Sequence, residues 1–257
     1  MSPEGARTIE GERGKRVALV SDVHGNLPAF EAVIADIERT RVDEIWCLGD
    51  LVGYGASPNE CVELARKTCD LCLIGNHDLV VLGKLDIDDF STNAALAATW
   101  TREHIGQEAV DYLSKLEAVD TEREIGLYHA SPRDPVWEYV LSTSLADACL
   151  DTMSERVGAV GHSHVALYFA RKDGEPTVGE HAPGGTELDI STGEWIINPG
   201  GVGQPRDGDP RAAWMLLDFG AWRASWHRTK YPIEDAAKAI EEAELPQALS
   251  DRLYYGQ

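Results

Sequence analysis

The chain has 257 residues, 43% of them hydrophobic and 26% charged, enough apolar material for a real core in one large domain or two small ones. Its 44 acidic side chains against 23 basic ones give a formal charge of −21, which argues against non-specific nucleic-acid binding and adhesion to anionic membranes. No apolar run approaches the ~20 residues that span a bilayer, and the polar stretch from Met1 to Arg16 lacks the apolar core of a signal peptide.

Residues 1–15 read as a disordered arm, and 16–257 as a single domain. Residues 16–21 form a short apolar run typical of a buried strand. Residues 27–39 have helical spacing, with Asn26 as N-cap and Pro28 tolerated in the first turn. A second strand is expected at 44–48, a helix at 58–67 and a third strand at 71–74. This alternation predicts parallel strands joined by crossover helices. One or two helices follow at 92–116, broken near Gly106. Strands are expected at 124–130 and 157–161, with a helix at 145–155 between them. After His164 the pattern reads as a β-meander, with strands at 165–171, 176–181, 186–191, 194–197, 212–218 and 221–228. A last helix runs over 233–244. No linker divides the chain, so one α/β domain with two sheets is expected.

The five cysteines, Cys47, Cys61, Cys69, Cys72 and Cys149, are odd in number and have no framework spacing, which fits a reducing cytoplasm. Cys69 and Cys72 have C-x-x-C spacing. No second such pair exists, so small apolar residues entering a strand is the favoured reading over a redox or zinc site.

The histidines carry more information. His24, His77, His129, His162 and His164 each stand just after an apolar strand, where loops of a parallel sheet form a ligand crevice. His104, His181 and His227 lack that setting and are assigned to surface or packing. The strand ends read Ser21-Asp22-Val23-His24-Gly25-Asn26, Gly49-Asp50, Gly75-Asn76-His77-Asp78, His129, and Gly161-His162-Ser163-His164. Mixed Asp, Asn and His donors suit Mn, Fe or Zn better than Ca or Mg. In Asp22-x-His24 and His162-x-His164 an extended backbone would put both side chains on one side. Each block alone is weak; five in this order, each after a strand, are specific. Signatures of a P-loop, a dinucleotide fold, a zincin and a serine-nucleophile elbow are all absent.

This ordered set, D-x-H, GD, GNH-[DE], a lone His and GH-x-H, resembles the calcineurin-like metallophosphoesterase superfamily from about Val17 to Gly203. The stretches at 49–61, 129–135 and 198–207 are similar to its bacterial and archaeal diadenosine-tetraphosphatase-like phosphoesterase branch. The resemblance implies a four-layer α/β/β/α sandwich of two mixed sheets, with a site for two divalent ions at the strand ends. It implies that Asp22, His24 and His164 hold one ion and that Asn76, His129 and His162 hold the other, with Asp50 bridging. It further implies metal-dependent hydrolysis of a small phosphodiester, phosphomonoester or nucleotide by an activated hydroxide, with His77 serving the phosphate or leaving group and Asn76 also at the substrate. Protein phosphatases of the superfamily read GD-x-V-D-R-G. Here Gly53 replaces the Asp that orients their histidine, and Tyr54 the Arg that grips phosphate. Arg133 and Arg206 are candidate substitutes, against the alternative of solvated loop arginines. Trp137 and Tyr139 could stack on a base, although core packing is the favoured reading. A Ser/Thr phosphatase and a non-catalytic scaffold remain as alternative readings. The expected partner is a small phosphorylated molecule, with no membrane partner.

Overall fold

A computed structural model describes residues 14–257, so residues 1–13 of the expected N-terminal arm lie outside the described residues. The elements run β1 (Arg16–Val20), α1 (Leu27–Thr40), β2 (Glu44–Cys47), α2 (Pro58–Thr68), β3 (Leu71–Cys72), α3 (Asn76–Val81), α4 (Thr92–His104), α5 (Gln107–Leu113), β4 (Val119–Asp120), β5 (Gly126–Tyr128) and α6 (Thr143–Leu150). They continue as β6 (Val157–Val160), β7 (Leu167–Arg171), β8 (Val178–His181), β9 (Glu187–Asp189), β10 (Glu194–Asn198), β11 (Ala212–Asp218), β12 (Arg223–Thr229), α7 (Ile233–Glu242), α8 (Gln247–Asp251) and a 3₁₀ turn at Arg252–Tyr254.

Two mixed sheets of six strands result, ordered β3-β2-β1-β11-β12-β9 and β4-β5-β6-β10-β7-β8. β1, β2 and β3 are parallel neighbours, as are β5, β6 and β10. Strand alternation sorts side chains between layers. In β1, Val17 and Leu19 face the inter-sheet core with Trp46, Leu127, Ile197 and Trp226. Ala18 and Val20 face the opposite way, onto α1, α2 and the other helices that cover this sheet. The outer face of the second sheet packs Tyr128, Val160, Phe169 and Ile196 against Ala146, Cys149 and Leu150 of α6. The four-layer α/β/β/α expectation is met.

The meander expectation is not. β7 and β8 form a hairpin in the second sheet, β9 crosses to the first, and β10 returns to insert between β6 and β7. Sequence patterning gives strand character but not sheet membership, because both sheets offer one face to the same core. The short helix α3 and strand β4 also had no counterpart in the expected elements. Asn26 caps α1 as expected, accepting from the Ala29 N–H at 3.2 Å. No helix among the described residues is long and apolar enough to cross a membrane.

One buried ion pair fixes the loop that precedes β11. Arg228 of β12 donates to Asp207, the two side chains being 3% and 5% exposed, and Asp207 also accepts from the Ala166 N–H at 3.2 Å. Removing one partner of a buried pair leaves an uncompensated charge. Arg228→Met should therefore lower unfolding free energy by roughly 3 kcal/mol, read as a lower urea midpoint at unchanged slope. An unshifted midpoint would show that the pair does not hold the loop.

Candidate metal centre

Every strand-end residue singled out from the sequence converges at the carboxyl ends of β1, β2, β3, β5 and β6. Asp22, His24, Asp50, Asn76, His77, His129, His162 and His164 are all buried. The means of convergence is not the extended backbone expected. Asp22, His24, Asp50, Tyr54, His162 and His164 all have φ between 50° and 60°, in the left-handed region that L residues avoid. Tight turns aim Asp22 and His24 inward, and His162 and His164 likewise. Backbone hydrogen bonds hold these turns, from Asp22 N–H to Gly49 O, His24 N–H to Asp50 O, and Gly203 N–H to Asp22 O. Strain of this kind persists only where the surroundings over-determine it, and it gathers at functional sites.

Three histidines are oriented alike. The Nδ1–H groups of His24, His129 and His164 donate to the carbonyls of Val52 (3.1 Å), Leu48 (2.8 Å) and Gln204 (2.7 Å). A carbonyl can only accept, so each Nε2 carries a lone pair. The Nε2 atoms of His24 and His164 lie 3.1 Å apart, lone pair to lone pair, an arrangement that a shared cation relieves. His162 is turned round. Its Nε2–H donates to Trp137 O at 3.3 Å, leaving the lone pair on Nδ1. Asp50 Oδ1 accepts from the His77 N–H at 2.9 Å, while Oδ2 has no hydrogen-bond partner and lies 3.6 Å from both His24 Nε2 and His129 Nε2. Both Asp22 oxygens are likewise without a partner, with Oδ1 at 3.4 Å from His164 Nε2. Asn76 Oδ1 sits 3.2 Å from His129 Nε2.

Three groups of potential ligand atoms emerge: Asp22 with His24 and His164; His24 with Asp50 and His77; and Asp50 with His129 and His162. Burial raises the Asp22 and Asp50 carboxyls to about 7 and lowers His24, His77 and His164, with His162 pushed down to about 2. Buried unpartnered carboxylate oxygens and facing imidazole lone pairs fit divalent transition ions through an N/O donor set. Asp78, next to this set, is structural. Its carboxylate accepts from the Val52 and Gly75 N–H groups and ties α3 to the loop after β2.

A cleft of about 350 Å³ opens onto the site, lined by Tyr54, Asn76, His77, Asp89, Phe90, Ser91, Ala94, Trp137, Tyr139, Arg206 and Arg252. Gly53 lies against the His77 ring, where an added Cβ would stand 2.6 Å from Nδ1, and that Nδ1 has no partner. Arg206 reaches the cleft, donating to Tyr54 Oη at 3.3 Å with its guanidinium 5.7 Å from the tyrosine ring centre. Arg133 does not line it; its side chain is 41% exposed and pairs with Glu138 at 3.5 Å. Trp137 and Tyr139 lie at the cleft rather than in a core. Tyr139 stacks on His162 and Trp137 meets Phe90 edge-on. Phe90 and Arg252 went unrecognised in the sequence, where a lone aromatic in an acidic segment and an arginine near the chain end give no local signal. His104 stacks on Trp100 and His227 on Trp214, while His181 lies on the exposed strand β8.

Residues 16–220 match the family profile of the calcineurin-like phosphoesterase superfamily domain. An uncharacterised protein of Methanocaldococcus jannaschii is 37% identical over 246 residues, covering 94% of this chain and 98% of its own. The crystal structure of a metallophosphoesterase from Sphaerobacter thermophilus superimposes with a TM-score of 0.85 at 40% identity, over 95% of this chain and 99% of that one. A symmetrical bis(5'-nucleosyl)-tetraphosphatase of Actinobacillus pleuropneumoniae is 33% identical over 70 residues, 26% of each chain.

The geometry makes Gly75 a sensitive position, since an added Cβ would stand 2.0 Å from Asp50 Oδ1. Saturating Mn²⁺, at about a hundred times its dissociation constant, should stabilise the metal-free protein by roughly 2.7 kcal/mol, or about 5–10 °C in melting temperature. Gly75→Ala should abolish most of that increase. An equal Mn²⁺-induced shift in both proteins, by calorimetry, would remove Asp50 from the centre.

Proposed function

This chain belongs to the calcineurin-like phosphoesterase superfamily, and we propose that it is a hydrolase of small phosphate esters that works with two divalent ions. The observation that carries the reading is Asp50 Oδ2, unpartnered and 3.6 Å from the lone pairs of two histidines on different sheets. Asp22, His24 and His164 would hold one ion, Asn76, His129 and His162 the other, and Asp50 both. When bound, such ions supply Lewis acidity and bring the pKa of water towards neutrality.

The remaining work falls to the chain's own groups. His77 lines the cleft; its Nδ1 is buried without a partner against Gly53, so Nε2 is the ring nitrogen left to serve a phosphoryl or leaving-group oxygen. Phe90 and Tyr54 pack on its ring at 4.4 Å each and fix its plane. Burial holds the imidazole neutral in the free protein, and an incoming phosphate dianion raises its proton affinity. It can then carry a proton to the leaving oxygen. Arg206 adds a cation at the cleft, so a small anion is drawn locally into an acidic protein. The five free thiols support a cytoplasmic setting.

Gly53 and Tyr54 weigh against a protein phosphatase. Among the described residues no carboxylate bonds His77 Nδ1, and the arginine of the GD-x-V-D-R-G pattern is missing from this loop. Phosphodiesters or nucleotides are therefore the preferred class over phosphoserine or phosphothreonine peptides.

Hydrolysis of p-nitrophenyl phosphate and bis-p-nitrophenyl phosphate by Mn²⁺-loaded protein tests the reading. Turnover of at least one is expected; none, in protein shown by metal analysis to carry its ions, would leave a binding scaffold instead. Asp50→Asn should cut kcat by orders of magnitude and weaken both ion sites. His77→Ala should retain the ions and lose roughly 10²–10⁴ in rate, the range of general acid–base groups. Loss of an ion in that variant would make His77 a ligand.

A further inference from the structure

The rim of the cleft carries two guanidinium groups that hydrolysis at the metal centre does not require together. Arg206 comes from the loop before β11 and Arg252 from the 3₁₀ turn after α8. Both donate to one buried amide oxygen, Gln204 Oε1, at 3.3 Å and 3.0 Å. Neither is paired with an Asp or Glu side chain among the described residues, although the protein has 44 acidic residues to offer. Arg252 Nε is taken by the main-chain oxygen of Gln257, and Arg206 Nε is buried with no partner.

Two cations converging on a neutral acceptor repel one another. Burial first, and then the charge of Arg206, hold Arg252 below the usual arginine range. The fold nonetheless enforces the pairing. Gly208 N–H donates to Gly256 O at 3.0 Å, Gly256 has φ +64° and packs on Asp209, and the Arg228–Asp207 pair pins the same loop. The two arginines also differ in what they touch. Arg206 donates to Tyr54, whose ring packs on His24 and His77, whereas Arg252 donates to Gln204 and to the main chain of Gln257. Both line a cleft that also presents Phe90, Trp137 and Tyr139.

We propose that Arg252, with Arg206, forms a second anion subsite for a phosphoryl group other than the one hydrolysed, so that the favoured substrates are nucleotides of the diphosphate class rather than simple monoesters. The proposal rests on the phosphoesterase reading and extends it. A planar guanidinium matches two phosphate oxygens at once, and an anion there relieves the repulsion between the two arginines. The cleft aromatics give the base a face on which to stack.

Calorimetric titration of ADP and AMP into the metal-free full chain tests it without recourse to turnover. ADP should bind at least roughly tenfold tighter than AMP, about what one charge-assisted hydrogen bond supplies. Arg252→Met should bring that ratio to within about twofold, and Arg252→Lys, which keeps the charge but not the fork, to an intermediate value. If Arg252→Met fails to fold, the lysine variant alone decides, and an unchanged ratio overturns the proposal. A wild type that does not discriminate overturns it too. So does a methionine variant that melts earlier with its ratio intact, since Arg252 would then only fasten the chain end. Turnover of p-nitrophenyl phosphate or bis-p-nitrophenyl phosphate by the Mn²⁺-loaded protein separates the two ideas. Hydrolysis without discrimination sinks the subsite alone, and discrimination without hydrolysis sinks the phosphoesterase reading while the subsite stands.

Discussion

The structure depends on keeping a set of polar donor atoms buried, close together and without protein partners. Asp22, Asp50 and five histidines meet where two sheets end, and their free atoms face one another rather than water. Isolated in an apolar interior, such groups are expensive, and burial shifts every affected pKa towards the neutral form. Six of the residues that shape the site also hold left-handed backbone, at roughly 1–3 kcal/mol each. No local preference produces this arrangement. It is imposed by the surrounding ladders, by glycines that admit close approach, and by an inter-sheet core with Trp46 and Trp226 at its centre.

The hydrogen bonds around the imidazoles show how that imposition works. Three backbone carbonyls, from Leu48, Val52 and Gln204, each select one tautomer. The loop around Asn198 performs the same service for the turn that carries His162 and His164. Asn198 Nδ2 donates to Gly161 O at 2.8 Å and to Ser163 Oγ at 3.0 Å, while Gln204 O accepts from His164 Nδ1–H at 2.7 Å. The NPGGVGQPRD stretch is thus a cradle for the turn after β6 as well as the source of Arg206. An opposite tautomer at His162, set by Trp137 O, links the cleft wall directly to a candidate ligand.

How much of this was legible in the sequence follows from the range of the forces involved. Strands β1, β2, β5 and β6 were visible because each is a short apolar run closed by Gly, Asp, Asn or His. The gathering of those ends follows from the crossover rule for parallel strands. Strand alternation does not bring Asp22 and His24 together; backbone hydrogen bonds to a neighbouring loop, invisible locally, turn both residues left-handed. Sheet membership of β9 and β10 failed likewise, because it is settled by partners distant in the chain. Trp137 and Tyr139 resembled core residues by composition alone. Arg252 carried no signal, because its meaning arises only when the chain end folds back beside Gln204.

The same long-range placement explains how a loop lacking the phosphatase arginine can still face a cation. In GD-x-V-D-R-G the charge would come from the loop after β2 itself. Here Tyr54 stands at that position, held at φ 59°, and its hydroxyl accepts from Arg206, which arrives from the opposite end of the sequence. The cation is thus moved from a loop that also carries Asp50 to one anchored by Arg228 and Asp207. Gly53, in turn, stands where that pattern has its Asp; among the described residues His77 Nδ1 has no partner, and aromatic packing by Tyr54 and Phe90 fixes the ring instead. Uncoupling the cation from the ligand loop separates two requirements. The loop after β2 has only to hold Asp50, while the loop before β11 and the chain end can set which anion fits beside it.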